Sequence, residues 1–487
     1  MLLDPIACRQ AILARDARFD GRFFTGVLTT GIYCRPVCPA RPPKAENCRY
    51  YPSAAAAQAA GFRPCLRCRP ETAPGQGAWR GASNTVTRAV SLIDGGALDD
   101  GDVDALAGRL GVGERHLRRL FLKHLGASPI AVAQTRRVHI AKQLIHETDL
   151  SMAQVALAAG FGSVRRFNET MLALFGRPPT ELRRAVGQGA SAAAGITLSL
   201  GYRPPYDWEA LLGFLELRAI PGVEIIEGGT YRRTIEIDGA VGSLAVAHEP
   251  ERNRVRATIR FPRLALLPRI IARVRQMFDI NADPEAIGAA LSRDPRLSPL
   301  VAGRPGLRVP GAWDGFELAV RAILGQQITV TAATRLAGMI AERWGTPFEG
   351  EDLGRVFPRP EVLADATIGG MPGARARAIA RLAAAAAADP GLFERAEDLD
   401  SSIRKLRVLP GIGEWTAHYI AMRALREPDA FPAADIGLMR ALDDGDGRPD
   451  AVTSLSRSQA WRPWRAYAAL HLWTAPRTKE TSRAIAA

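Results

Sequence analysis

All six cysteines of this 487-residue chain, Cys8, Cys34, Cys38, Cys48, Cys65 and Cys68, fall within its first 68 residues. A secreted disulfide framework would be spread through the chain; this one reads as cytoplasmic, with thiols serving one local site. Two pairs are short, Cys34-Arg-Pro-Val-Cys38 and Cys65-Leu-Arg-Cys68. When such pairs converge they offer four thiolates to one ion, in the tetrahedral arrangement that Zn²⁺ prefers. A purely structural zinc, another metal and reducible thiols remain open at this point. Cys8 and Cys48 fit no ligand spacing and are expected as small buried hydrophobes.

A chain of this length exceeds one hydrophobic core, so three or four domains are expected. No apolar run is long enough to cross a bilayer and the opening residues lack a secretory layout, so no membrane partner is expected. The small-residue stretches Thr72-Ala-Pro-Gly-Gln-Gly-Ala and Gly187-Gln-Gly-Ala-Ser-Ala-Ala-Ala-Gly195 read as linkers. Residues 83–185 between them follow a helical period. Alternation marks strands from Ile196 to about Ile259, interrupted by a helical pattern from Asp207 to Leu217. From Phe316 onward the pattern is helical, with the run Ala383–Ala388 as a small packing face.

The formal net charge is +14, and 59 of the 64 basic residues are arginine. A GC-rich genome accounts for part of the arginine preference but not for the net charge. The excess is +7 over residues 1–81, +4 over 82–186 and +3 over the remainder. Guanidinium groups grip phosphates bidentately, so a polyanionic partner is expected, above all at the N-terminus.

The pattern Thr30-Gly-Ile-Tyr-Cys34-Arg-Pro-Val-Cys38 with Ala60-Gly-Phe-Arg-Pro-Cys65-Leu-Arg-Cys68 resembles the N-terminal domain of the Ada adaptive-response family. That resemblance implies Zn²⁺ held by Cys34, Cys38, Cys65 and Cys68, with Cys34 accepting a methyl group from a methylphosphotriester. Four thiolates around one Zn²⁺ carry a net charge of −2, and methylation of one takes it to −1, which should raise affinity for phosphates.

Two further segments repeat a helix–glycine–helix pattern, Val103–Gly113 into Glu114–His124 and Met152–Gly162 into Ser163–Phe175, with Gly111 and Gly160 49 residues apart. Together with Phe175-Gly-Arg-Pro-Pro179 the pair resembles an AraC-type regulator domain. It implies double-stranded DNA as partner, with Arg118, Arg119, Arg165 and Arg166 as candidate contacts. An activator of this kind implies RNA polymerase as a further partner and a nucleoid-associated location.

Leu409-Pro-Gly-Ile-Gly-Glu-Trp-Thr-Ala417 carries the helix-hairpin-helix signature, in which Gly411 and Gly413 let backbone N–H groups approach a phosphate. Asp435 lies 20 residues beyond Trp415, where glycosylases of that superfamily keep a catalytic carboxylate. Trp415 occupies the place of the Schiff-base lysine of bifunctional members, so simple hydrolysis without a cofactor is expected. The stretches Tyr202–Phe214, Arg304–Gly311, Ala319–Gln326 and Pro463–Trp473 extend the likeness, which resembles the AlkA-type 3-methyladenine glycosylases. By that resemblance Trp415, Tyr419, Trp473 and Phe214 line a base pocket, and Gln327 takes the wedge position that leucine fills elsewhere. Purines alkylated at N3 or N7 are cationic, and an aromatic face attracts such a cation by ~0.5–2 kcal/mol. The expected architecture is multidomain and mainly α: a zinc α+β domain (1–74), a double helix-turn-helix domain (82–186), a TBP-like α+β subdomain (196–302) and an all-α glycosylase core (303–477). The competing expectation is a regulator whose C-terminal half binds DNA without catalysis.

Overall fold

The N-terminal segment is organised by a small mixed sheet in the order β3-β1-β2-β4, with β1 Phe24–Val27, β2 Ile32–Cys34, β3 Cys48–Tyr51 and β4 Arg63–Pro64. A fully buried Tyr33 and Phe24, in edge contact at 5.9 Å between ring centres, form its core with Phe62. Cys8 and Cys48 are buried, as small hydrophobes would be. The computed structural model describes residues 4–75, 84–183, 195–350, 352–445 and 447–475; residues 76–78 of the first expected linker and 187–194 of the second lie outside these.

The helical repeat is plain in the structure. Helices Val103–Arg109 and Glu114–Leu125 turn at Gly111, and Met152–Ala158 and Val164–Phe175 turn at Gly160, both glycines at positive φ (71° and 84°). Each second helix buries the same spacing of apolar residues, Leu117, Phe121 and Leu125 in one and Phe167, Met171 and Phe175 in the other, and each ends on a left-handed glycine. Helix Pro129–Glu147 lies between the two repeats in sequence. Beyond it, β5 (Ile196–Gly201), β6 (Glu224–Glu227), β7 (Thr230–Ile237), β8 (Ala240–Glu249) and β9 (Arg254–Arg260) form an antiparallel sheet in the order β5-β9-β8-β7-β6. Alternate residues of β9 (Val255, Ala257, Ile259) are buried, the signature of a sheet covered on one face.

One element departs from the sequence expectation. Residues 346–356, read as part of a helical region, form a hairpin of β10 (Thr346–Gly350) and β11 (Leu353–Val356). Thr234 Oγ1 donates to the Arg355 carbonyl at 2.7 Å, and the N–H of Gly354 to that of Gly222 at 2.9 Å. These partners, distant in sequence, fix a hairpin whose own residues are largely exposed and carry almost no alternation.

The chain divides into two compact units. Unit one is formed by Met1–Pro204, Ala219–Ala282 and Gly345–Phe357, and unit two by Pro205–Arg218, Asp283–Trp344 and Pro358–Ala487. Unit two is helical among its described residues. Its helix Gly373–Ala388 buries Ala378, Ile379, Leu382, Ala383 and Ala386, so the alanine run is indeed a packing face. Hairpin helices Leu399–Arg407 and Glu414–Arg423 flank the Pro-Gly-Ile-Gly turn, and helices Gly315–Leu324 and Arg465–Trp473 complete the surroundings of the site.

Candidate functional sites

In unit one the cysteine cluster is assembled by pairing rather than by sequence proximity. Strand β2 presents Tyr33 to the core and Cys34 to the opposite side; β4 runs parallel to it and brings Cys65 alongside, its N–H donating to the Tyr33 carbonyl at 3.0 Å. The four sulfurs of Cys34, Cys38, Cys65 and Cys68 lie within 4.8 Å of one another and all are reduced. Sulfurs at ~2.3 Å from a tetrahedral ion stand nearly 4 Å apart, so the cluster is close to the size that Zn²⁺ requires. Backbone N–H groups of Arg35 and Arg67 point at the sulfurs of Cys68 and Cys65, each at 3.4 Å. The thiols of Cys34, Cys38 and Cys68 drive Cys65 far below the usual thiol range, and Cys34 chiefly lowers Cys38 to about 7. Cys65 and Cys68 are buried, whereas Cys34 and Cys38 are only half-buried.

On the helix-turn-helix repeat, Arg118 is paired with Glu114 and Arg165 with Glu169 one helical turn along; Arg119 contacts His116, and Arg166 is exposed. Three of the four arginines thus have a partner within their own helix, and none of the four is buried.

In unit two, Asp435 is the N-cap of helix Ile436–Ala441, and its Oδ1 accepts the Leu438 N–H at 2.9 Å. The indole N–H of Trp473 donates to the same oxygen, and that of Trp415 to Oδ2, both at 2.9 Å. Trp415 is stacked on Tyr419 at 5.3 Å with planes 10° apart, so one indole face is occupied by the phenol ring. The fourth expected pocket aromatic stands beside two arginines. Phe214 has the guanidinium of Arg218 3.7 Å from its ring centre and that of the buried Arg423 at 4.8 Å. Arg423 also donates to the Tyr419 hydroxyl at 2.7 Å. Burial pushes the Tyr419 hydroxyl up, but Arg423, Arg218 and Arg321 outweigh it and hold the group at about 8.

Gly411 has φ +84°, and a Cβ there would stand 2.6 Å from that of Ala378 on the alanine-rich helix; Gly413 faces open space as the N-cap of the second hairpin helix. Ile412 is buried and anchors the turn. Gln327 is exposed at a left-handed φ of 59°, between helices Gly315–Leu324 and Val330–Trp344.

Two contributors escaped the sequence reading. Gln326 donates to the Gly411 carbonyl at 2.8 Å and to Thr416 Oγ1 at 3.1 Å, tying the Gln327 loop to the hairpin. Gly437 leaves the space in which Trp473 reaches Asp435: a Cβ there would lie 2.9 Å from Asp435 Oδ1 and 3.3 Å from the Trp473 ring. A glycine two residues after the key aspartate was the available signal.

Comparison with known proteins joins these sites. Residues 7–71 match the metal binding domain of Ada, 106–185 a helix-turn-helix domain and 197–314 the AlkA N-terminal domain. The probable bifunctional transcriptional activator/DNA repair enzyme AlkA of Mycobacterium tuberculosis is 43% identical over 476 residues, spanning 96% of this chain and 95% of that protein. The chain belongs to this family of bifunctional activator/DNA repair proteins. DNA-3-methyladenine glycosylase 2 of Escherichia coli is 33% identical over 282 residues, 56% of this chain and 96% of its own length. The solved 3-methyladenine DNA-glycosylase from Archaeoglobus fulgidus shares the fold over 56% of this chain and 96% of its own, with a TM-score of 0.50 at 22% identity. As in other members of the family, a regulator-type half and a glycosylase-type half occupy one polypeptide, and among the described residues no helix is long and apolar enough to cross a membrane.

Proposed function

We propose that unit two hydrolyses the N-glycosidic bond of alkylated purines such as 3-methyladenine and 7-methylguanine, with Asp435 as its catalytic carboxylate. The observation that carries this reading is the placement of both indole N–H groups on that carboxylate, one to each oxygen. Oδ1, with two donors, has both lone pairs engaged; Oδ2, with one, keeps a lone pair for the substrate. A flipped alkylpurine stacked on Trp415, on the side away from Tyr419, places its sugar near this anion. The C1′–N bond breaks with its electron pair passing to the already cationic base, which departs neutral. The resulting oxocarbenium ion is stabilised by the fixed negative charge, water adds at C1′, and its proton is released. No amine stands where a Schiff base would form, so the product is an abasic site in an intact strand. Gly411 and Gly413 hold the backbone phosphates, and Gln327 fills the gap left by the base.

Cys34 is the methyl acceptor of unit one. Its thiolate forms an S–C bond to the methyl carbon of a methylphosphotriester, and the C–O bond breaks with its electron pair left on the phosphate, which becomes a diester. Zn²⁺ held by the four cysteines supplies the charge that keeps the sulfur anionic at neutral pH. The paired helix-turn-helix region, through Arg118, Arg119, Arg165 and Arg166, carries the signal to a promoter and to RNA polymerase in the nucleoid.

The deciding experiment compares release of free 7-methylguanine and 3-methyladenine from methylated DNA by the wild type and by Asp435→Asn. Loss on the order of 10²-fold or more is expected. Equal release by the two would remove Asp435 from the mechanism, and no release by either would favour a protein that regulates without excising.

A further inference from the structure

Helix Pro129–Glu147 links the two helix-turn-helix repeats, yet one of its faces is spent on the cysteine cluster. His139, Lys142, Gln143 and Glu147 recur at helical spacing on it, and all are polar groups drawn into the interior of unit one or its margin. Lys142 is wholly buried, and its ammonium donates to the carbonyl of the ligand residue Cys65 at 2.8 Å and to Glu71 Oε2 at 2.6 Å. His139 Nε2 lies 2.7 Å from the hydroxyl of Tyr33, the residue preceding Cys34. Arg69, directly after Cys68, holds a left-handed backbone (φ 54°) while its side chain spans Glu71 at 3.1 Å and Glu147 at 2.7 Å. Glu147 Oε2 in turn accepts the N–H of Ser199 on β5 at 3.1 Å.

A buried ion pair is a poor source of stability, because the desolvation of both ions offsets their attraction; what it supplies is a single allowed arrangement. A non-glycine residue at positive φ also persists only where the surroundings over-determine it. Both features mark this junction as built to hold one geometry. Glu71 offsets the charge of Lys142, so the ammonium acts on the cluster through its hydrogen bond to the Cys65 carbonyl, which fixes the backbone that carries that ligand.

We propose that helix Pro129–Glu147 is part of the methyl-acceptor site, with Lys142 and His139 as positioning residues that brace the Cys65 and Cys34 limbs of the cluster, and that this brace carries the state of Cys34 to the DNA-binding helices. The inference rests on the reading of Cys34 as the acceptor. By linkage, whatever methylation does to the affinity of the braced helices for DNA, DNA does to the cluster in equal measure.

The test uses the full chain loaded with Zn²⁺, in the wild type, Lys142→Met, Lys142→Arg and the double variant Lys142→Met/Glu71→Gln. The double variant removes both buried charges, and so remains informative where the single change leaves Glu71 unpaired and unfolds the unit. Two quantities are read: transfer of the ion to a chromogenic chelator, and the ratio of duplex-DNA Kd values before and after exposure to a short methylphosphotriester duplex, with methylation of Cys34 followed by mass spectrometry. In Lys142→Met and in the double variant, ion affinity should fall by about 10- to 100-fold and the gain in DNA affinity on methylation should shrink toward unity. Lys142→Arg, which keeps a cation and donors, should restore part of both. A double variant that is methylated, keeps the wild-type ion affinity and shows the full DNA gain overturns the brace. A wild type that gains no methyl on Cys34 overturns the acceptor reading instead, and the ion measurement then still decides whether the brace exists.

Discussion

Asp435 illustrates how much a single carboxylate depends on its donors. A hydrogen bond to a charged group contributes roughly 1.5–3 kcal/mol, and here two of the three donors are indoles. Trp473→Phe keeps an aromatic ring and removes the N–H. If the indole positions the carboxylate, single-turnover excision should slow by about 10- to 100-fold with substrate affinity nearly unchanged; a variant weakened only in affinity would show that stacking is its whole role. Gly437→Ala should act in the same direction without touching either indole, because its Cβ would intrude between Asp435 and Trp473. Asp435 was legible through its spacing to the hairpin, the place where the resemblance to helix-hairpin-helix glycosylases puts a carboxylate. The Trp415 and Trp473 donors were legible only as aromatics: a sequence gives the identity of a ring but not the direction of its N–H. Phe214 shows the same limit, because nothing local announces that Arg218 and Arg423 crowd its ring.

At the scale of elements, what the sequence disclosed were features with a period. The repeated helices around Gly111 and Gly160, the strands from Ile196 and the alanine-rich packing face all carry their own pattern. The β10–β11 hairpin carries none, being fixed by Gly222 and Thr234 far upstream. The polar stripe of helix Pro129–Glu147 was hidden for the opposite reason: its period is regular, but polar residues at helical spacing ordinarily face water. Helix Arg465–Trp473 buries a comparable anomaly in His471, whose Nδ1 has no partner among the described residues. Burial, aided by Arg304 and opposed by Asp207, holds this imidazole down to about 4, against 6.5 when unfolded. The folded state therefore binds fewer protons between these values. Stability is fully present above pH 6.5, declines as pH falls toward 4 and levels off below it. Thermal unfolding followed from pH 7 to 4 should lose roughly 3 kcal/mol from this group, and His471→Gln should show a correspondingly shallower decline. An identical slope in the variant would assign the acid sensitivity to other groups.

Across the whole molecule, the two proposed chemistries differ in what they leave behind. An alkylpurine departs from unit two and frees Asp435 for another turnover, whereas a thioether at Cys34 has no leaving path, so each cluster acts once. One site removes damage and the other counts it, a division that suits a regulator joined to an enzyme and suggests induction of the chain's own operon after alkylation. The basic excess follows the same division, +7 over residues 1–81 against +3 over residues 187–487. Loss of one negative charge at the cluster therefore acts where the protein already favours phosphate. The groups proposed to react at the two sites share no hydrogen-bond partner among the described residues and belong to separate units. Sites without shared partners combine to within ~0.3–0.5 kcal/mol, about twofold in rate. Protein fully methylated at Cys34 should thus excise 7-methylguanine within about twofold of the unmethylated rate, and Asp435→Asn should still accept one methyl group on Cys34. Excision that rises or falls tenfold on methylation would mean that the count also governs the enzyme, and the two halves would then be one coupled machine rather than a sensor and a repair site on a common chain.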